Sequence, residues 1–257
     1  MILKCDAAQL EWRVKVFLAQ DKLAMGEIQE QLDLHTDNQQ VFGLPSRLIA
    51  KIFIYRMIFA DAFGPNGYDG PAYAYANDVE FSLTSTSKKF WVGVIDRFFT
   101  KYPQVREHSL NLIREAIANG QIVNPSGRFY PFQPYQKWDN SWDWPRTNIL
   151  NYPVQGLAAD FMQLARLEIY RRMVSENLLS KVLLINTVHD DVELDCPPDK
   201  DLIVKINQIL LDSFEGIPQL FKKKYGVEIN VPMGGEVSIG LNLYNMESVQ
   251  EYLDKSP

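Results

Sequence analysis

Residues 181–196, KVLLINTVHDDVELDC, constrain the fold more than any other stretch of the chain. Two apolar-alternating runs flank His189 and Asp190, a pattern that predicts two strands about a tight turn. So short a connection joins antiparallel neighbours, because parallel strands need a long crossover. The turn also carries two adjacent carboxylates, Asp190 and Asp191, which repel each other. A solvated surface turn accommodates such a pair, and so does a bound cation.

The rest of the chain alternates hairpins with helices. MILKCD predicts a short first strand that runs into a charged turn at Asp6, and AAQLEWRVKVFLAQD then has helical periodicity. The strongest helical signal is LPSRLIAKIFIYRMIFADAFG, with Pro45 and Ser46 marking its start and Gly64 its end. GPNGYDGPAYAYAND, residues 64–78, reads as a loop. Helices follow within residues 85–119, and GQIVNPSGRFYPF reads as a hairpin turning at Pro-Ser-Gly. Residues 133–148, QPYQKWDNSWDWPRTN, read as irregular, with three tryptophans expected to pack on their own domain. An amphipathic helix over 156–174, a helical stretch over 197–226 and a closing strand over 227–240 complete the pattern. With no strand–helix–strand alternation, the fold class is α+β.

Composition excludes several classes. The 257 residues are 46% hydrophobic and 23% charged, enough to bury a core. No apolar run is long enough to span a membrane, so no membrane partner is expected. Cys5 and Cys196 alone imply neither a disulfide framework nor a zinc cluster, which fits a reduced intracellular compartment. The net charge of −6 runs against the basic footprint of most nucleic-acid binders, although an acidic chain can carry a basic face.

Two groups of residues carry chemistry. Asp6 lies at the end of the first strand, and with Asp190 it forms the kind of oxygen donor pair that magnesium takes together with substrate phosphates. Read alone, Asp6 is equally a helix N-cap. The second group is Arg47, Lys51, Tyr55 and Phe59, spaced four apart and so on one face of a helix. Two cations near a helix N-terminus oppose the macrodipole, unless a polyphosphate binds there. The alternative is a partly solvated basic stripe.

Taken together and in order, these segments resemble the polymerase core of family A DNA polymerases. DAAQLEWR resembles the family's first carboxylate motif, Asp-x-Ser-Gln-x-Glu-x-Arg, and Arg47 to Phe59 resembles the R-x-x-x-K-x-x-x-[FY] fingers helix. NYPVQGLAADFMQLA resembles a motif shaping the primer-template site, and VHDDVELD the second carboxylate motif, Val-His-Asp-Glu. The resemblance implies a palm of antiparallel sheet and helices over 1–34 and 120–257, with a helical fingers insertion over 35–119 and no thumb. It implies two magnesium ions on Asp6 and Asp190 with the Ala7 carbonyl as a further oxygen, and an auxiliary Asp191. Arg47 and Lys51 would hold the triphosphate of a dNTP, with Lys51 also a general acid toward pyrophosphate. Tyr55, Phe59, Gln9, His35 and Glu11 would contact the nucleotide, with Glu11 crowding the sugar 2′ position and Tyr55 favouring acceptance of dideoxynucleotides. Arg146, Asn151, Gln155, His189 and Arg13 would meet primer-template DNA.

The chain departs from the family at Ala8, where serine is usual, and at Phe59-Ala60, where Tyr-Gly is usual. It begins almost at its first motif, which leads to the expectation of a split, phage-type polymerase. A second polypeptide would then supply the thumb and an exonuclease, in the cytoplasm of a bacterial or phage-infected cell. The rival expectation is a polymerase-like subunit that binds DNA or a replication partner without catalysis.

Overall fold

The computed structural model describes residues 1–59 and 68–255. Gly64, Ala60 and the first part of the 64–78 segment lie outside the described residues. In chain order the elements are β1 (Ile2–Ala7), α1 (Leu10–Ala19), α2 (Lys22–Gln29), α3 (Leu34–Phe42), α4 (Arg47–Phe59), α5 (Asp69–Asn77), α6 (Lys88–Lys101) and α7 (Pro103–Asn119). Then come β2 (Gln121–Val123), β3 (Phe129–Pro131), β4 (Tyr135–Gln136), β5 (Trp142–Asp143), α8 (Arg146–Ser175), β6 (Leu183–Val188) and β7 (Asp191–Asp195). α9 (Lys200–Glu215), α10 (Ile217–Tyr225), β8 (Gly235–Gly240), β9 (Met246–Ser248) and α11 (Val249–Lys255) complete the chain. The mixture of helices with antiparallel sheet is the expected α+β class.

The chain divides into two compact units, Met1–Leu10 with Leu157–Pro257, and Glu11–Gly156. The first is built on a five-stranded antiparallel sheet in the order β6-β7-β1-β8-β9. Strand alternation separates its two faces. Leu3, Cys5 and Ala7 of β1 are buried, as are Val192 and Leu194 of β7 and Ile239 of β8. The apolar face of α9, with Ile203, Ile206, Leu210 and Phe214, belongs to the same core. Phe161 of α8 meets Phe221 of α10 edge-on, with ring centroids 5.2 Å apart.

The sheet closes tightly beside Asp6. Gly235 pairs with Ala7, and a Cβ at Gly235 would sit 2.5 Å from Cys5 Sγ and 3.2 Å from Phe214 Cγ. Gly235→Ala is therefore expected to lower unfolding stability by about 1–3 kcal/mol, the usual range for overpacking. Adding Cys5→Ala should recover part of that loss. Urea denaturation of the single and double variants measures both, and equal stability of Gly235→Ala and wild type would contradict the close approach.

The second unit has an aromatic core. Phe42, Phe53 and Phe98 meet at centroid distances of 5.7–5.9 Å, and Trp12 stands edge-on to Tyr102 at 5.1 Å. A polar network closes over it. Tyr102 donates to Glu27 at 2.8 Å, and Lys101 pairs with Glu27 at 2.9 Å and with Asp37 at 2.6 Å.

Five expectations need correction. Residues 69–77 are helix rather than loop, with Pro71 in the first turn, where its missing N–H costs nothing. Residues 133–148 are not irregular throughout, since β4 and β5 form a hairpin and α8 already starts at Arg146. The tryptophans of that hairpin do not pack on their own domain as expected, because Trp138 is 99% and Trp142 66% exposed. The helix expected from residue 156 begins ten residues earlier and runs through Pro153, whose carbonyl accepts a 2.8 Å bond from the Asn124 side chain. The closing strand is shorter than expected, beginning at Gly235 rather than at 227.

Candidate active site

In the sheet unit, β1 and β7 pair antiparallel with Asp6 directly opposite Asp191. Two residues, His189 and Asp190, turn the chain between β6 and β7, and His189 takes a left-handed φ of 52°. The turn is fastened to β1 by the backbone, where the Ala7 N–H donates to the Asp190 carbonyl at 2.8 Å. This register carries the first carboxylate to the second pair, although they lie at opposite ends of the chain.

Facing carboxylates on adjacent strands repel each other. Lys4, two residues before Asp6 and so on the same face, places Nζ 3.1 Å from Asp6 Oδ1 and 3.0 Å from Asp191 Oδ2. The bond to Asp191 raises the Lys4 pKa against the opposing effect of burial, with Asp6 adding to the rise. Asp191 is 7% exposed and also accepts from the Val188 N–H at 3.2 Å. Asp190 is half-buried, and burial, then the charges of Asp6 and Asp191, push its carboxyl above the ordinary range.

Among the described residues no three His, Cys, Asp or Glu side chains form a metal cage. The donor chemistry nonetheless fits a hard divalent cation. Asp6 and Asp190 are oxygen donors close enough for their charges to interact, and the negative charge gathered there disfavours ionised Asp190 in the absence of a cation. Magnesium needs only one or two such carboxylates when substrate supplies other oxygens.

The helical unit gathers the second group. Ser46 caps α4 as expected, its hydroxyl accepting from the Ile49 N–H at 3.2 Å. Arg47 and Lys51 are exposed, while Tyr55 and Phe59 are half-buried on the following turns. Asp33 caps α3 through the N–H groups of His35 and Thr36, at 3.1 and 3.3 Å. It also takes a two-point contact from Arg47, with Nε 2.8 Å from Oδ2 and Nη2 3.1 Å from Oδ1. That contact holds the Asp33 carboxyl well below the usual carboxylate range.

His35 is buried beside the same cations. Burial, then the charge of Arg47, lowers its pKa to about 4, with Lys51 adding to the fall and Asp33 opposing it. The imidazole is therefore neutral at pH 7. Among the described residues its enclosed Nδ1 has no hydrogen-bond partner, and its ring lies 6.2 Å from that of Tyr55. The structure thus brings Arg47, Lys51, Tyr55 and His35 together.

The remaining expected residues are placed individually. Gln9 sits at the β1–α1 junction with a φ of 51°, Glu11 and Arg13 lie on α1 half-buried, and His189 is exposed. On α8, Arg146 forms an ion pair with Asp143 at 3.6 Å, Asn151 has its side-chain oxygen enclosed without a partner among the described residues, and Gln155 is exposed one turn further on. Sequence reasoning missed Lys4 and Asp33. Each had a local signal: Lys4 shares the pleat of Asp6, and Asp33 precedes a helix with threonine at the third position.

A family model described as DNA polymerase family A matches residues 1–245. DNA polymerase I of Caldicellulosiruptor bescii is 25% identical over 253 residues, covering 95% of this chain and 27% of that protein. DNA polymerase I of Streptococcus pneumoniae strain R6 is 25% identical over 86% of this chain and 24% of its own length. The thermostable DNA polymerase I of Thermus aquaticus is 25% identical over 93% and 26%. The chain thus spans about a quarter of the length of these curated relatives. Among solved structures, the POL domain of Pol1 from M. smegmatis in complex with DNA primer-template and dNTP superposes with a TM-score of 0.69. That match covers 93% of this chain and 39% of the other at 18% identity, a likeness of fold.

Proposed function

We propose that this chain, which belongs to DNA polymerase family A, carries a template-directed DNA polymerase site that transfers a nucleotide from dNTP to a primer 3′-hydroxyl. The observation that carries this reading is the β1–β7 register, which sets Asp6 beside the Asp190–Asp191 turn on one rigid sheet. In this reading the segments 1–34 and 120–257 act as palm and 35–119 as fingers.

Asp6 and Asp190, with the Ala7 carbonyl, would hold magnesium, which supplies Lewis-acid stabilisation of phosphate oxygens. Arg47 and Lys51 bind the triphosphate at the start of α4, where the helix dipole favours the same anion, and Lys51 protonates the departing pyrophosphate. Neutral His35 donates or accepts a hydrogen bond without repelling the neighbouring cations. Tyr55 packs on the sugar and base, and Phe59, Gln9 and Glu11 are the further nucleotide contacts of this reading. Arg146, Asn151, Gln155, His189 and Arg13 contact primer-template DNA in the same reading. A thumb-bearing second polypeptide belongs to the same proposal, and so does a cytoplasmic setting.

Primer extension with magnesium and dNTPs, with and without a candidate thumb-bearing chain, tests the reading. Template-dependent extension is the expected result. DNA binding without extension under either condition would favour the non-catalytic rival.

Asp33 yields a narrower prediction, because its contact with Arg47 competes with the triphosphate. Asp33→Asn keeps a good helix cap and removes the charge. Its apparent KM for dNTP should fall about fivefold, the scale of a partly exposed ion pair. A rise in KM would show instead that Asp33 orients Arg47 toward substrate.

A further inference from the structure

Lys4 offers an inference beyond this scheme. Its direct cross-strand neighbour on β7 is Glu193, a carboxylate only 5% exposed. No ion pair joins the two among the described residues. Instead the ammonium reaches one pleat forward, to 3.1 Å from Asp6 Oδ1 and 3.0 Å from Asp191 Oδ2. It takes one oxygen from each of two facing carboxylates. The other oxygen of Asp191 is held by the Val188 N–H, whereas Asp6 keeps nearly half of its side chain exposed.

From this geometry we infer that Lys4 is a positioning residue: a built-in counter-cation that locks Asp191 as an anchor, orients Asp6, and lowers the site's affinity for divalent ions. The inference rests on the reading of Asp6 and Asp190 as ion ligands. Three clustered carboxylates without a partner would repel and splay when no ion is bound. Lys4 holds two of them in register across β1 and β7, and its positive charge subtracts from the field that draws a second cation. The site therefore keeps its shape before the ion arrives and exchanges the ion more readily.

Manganese binding to the full chain, followed by electron paramagnetic resonance without nucleotide or DNA, tests this directly. Lys4→Met should bind Mn2+ about tenfold more tightly than wild type, the effect of removing one partly screened charge at contact distance. Lys4→Arg should stay within about twofold of wild type, because it keeps the charge. In EDTA the Tm of Lys4→Met should fall, and saturating Mn2+ should restore more of it than the same ion adds to wild type. Unchanged or weaker Mn2+ binding by Lys4→Met would overturn the inference, whatever its Tm. Asp190→Asn separates the underlying reading. If that change leaves wild-type Mn2+ affinity intact, Asp190 is not a ligand and both ideas fall. If it weakens binding while Lys4→Met changes nothing, the Lys4 inference alone fails.

Discussion

Asp190→Asn is expected to lower primer extension by about a thousandfold or more, the scale seen when one preorganised electrostatic element is removed from a phosphate or oxyanion site. The fold should survive, because the residue's tie to the sheet runs through its backbone carbonyl, which accepts from the Ala7 N–H at 2.8 Å. Its side chain holds no ion pair among those of the described residues, and burial together with Asp6 and Asp191 disfavours its ionised form. Asparagine removes that repulsion at equal size. A thermal unfolding scan should therefore show a Tm equal to or above wild type without magnesium, beside the lost activity. Asp6→Asn should lose activity too but also lower the Tm, since it removes the charge from one of the two carboxylates paired with Lys4. Extension by Asp190→Asn within tenfold of wild type would remove Asp190 from the chemistry.

That contrast shows where the sequence was legible. The hairpin about His189 and Asp190, the strand ending at Asp6 and the helix begun by Ser46 follow from alternation, turn chemistry and capping, which act over a few residues. The four-residue spacing of Arg47, Lys51 and Tyr55 likewise needs only helical geometry. Local signals misled where a breaker is tolerated by its position. Pro71 lies in a first turn, and the helix through Pro153 survives with Asn124 bonded to that proline's carbonyl. The buried face of α5, Pro71, Ala72, Tyr75 and Ala76, has helical spacing that the flanking glycines obscure. Register was out of reach. That Asp6 faces Asp191, and that Lys4 spans both, depends on how two strands from opposite ends of the chain align. No local pattern encodes that alignment.

Lys15 is the other residue whose meaning only packing reveals. In the sequence it is one charge on an amphipathic helix. In the structure it is fully buried on α1, and Nζ donates to Ser109 Oγ of α7 at 2.9 Å. Burial lowers its pKa from 10.5 to about 7. The unfolded chain therefore binds the additional proton between about pH 7 and 10.5, so stability rises with pH across that window. Below pH 7 both states are protonated and the full penalty stands. His108, beside it, is lowered to about 3 by burial and then by the charge of Lys15, which adds a rise of the same sign between about pH 3 and 6.5. Lys15→Met should raise unfolding stability by about 3 kcal/mol at pH 7 and by much less at pH 10, following from the lowered pKa and the apolar surroundings. Ser109 is not orphaned by the change, because its hydroxyl also donates to the Val105 carbonyl at 3.0 Å. Urea denaturation of both proteins from pH 5 to pH 10 measures the effect. Between pH 7 and 10 the wild-type curve should gain on the Lys15→Met curve and close most of the gap. Parallel curves would mean that Lys15 keeps its ordinary proton affinity, with water reaching it inside the helical unit.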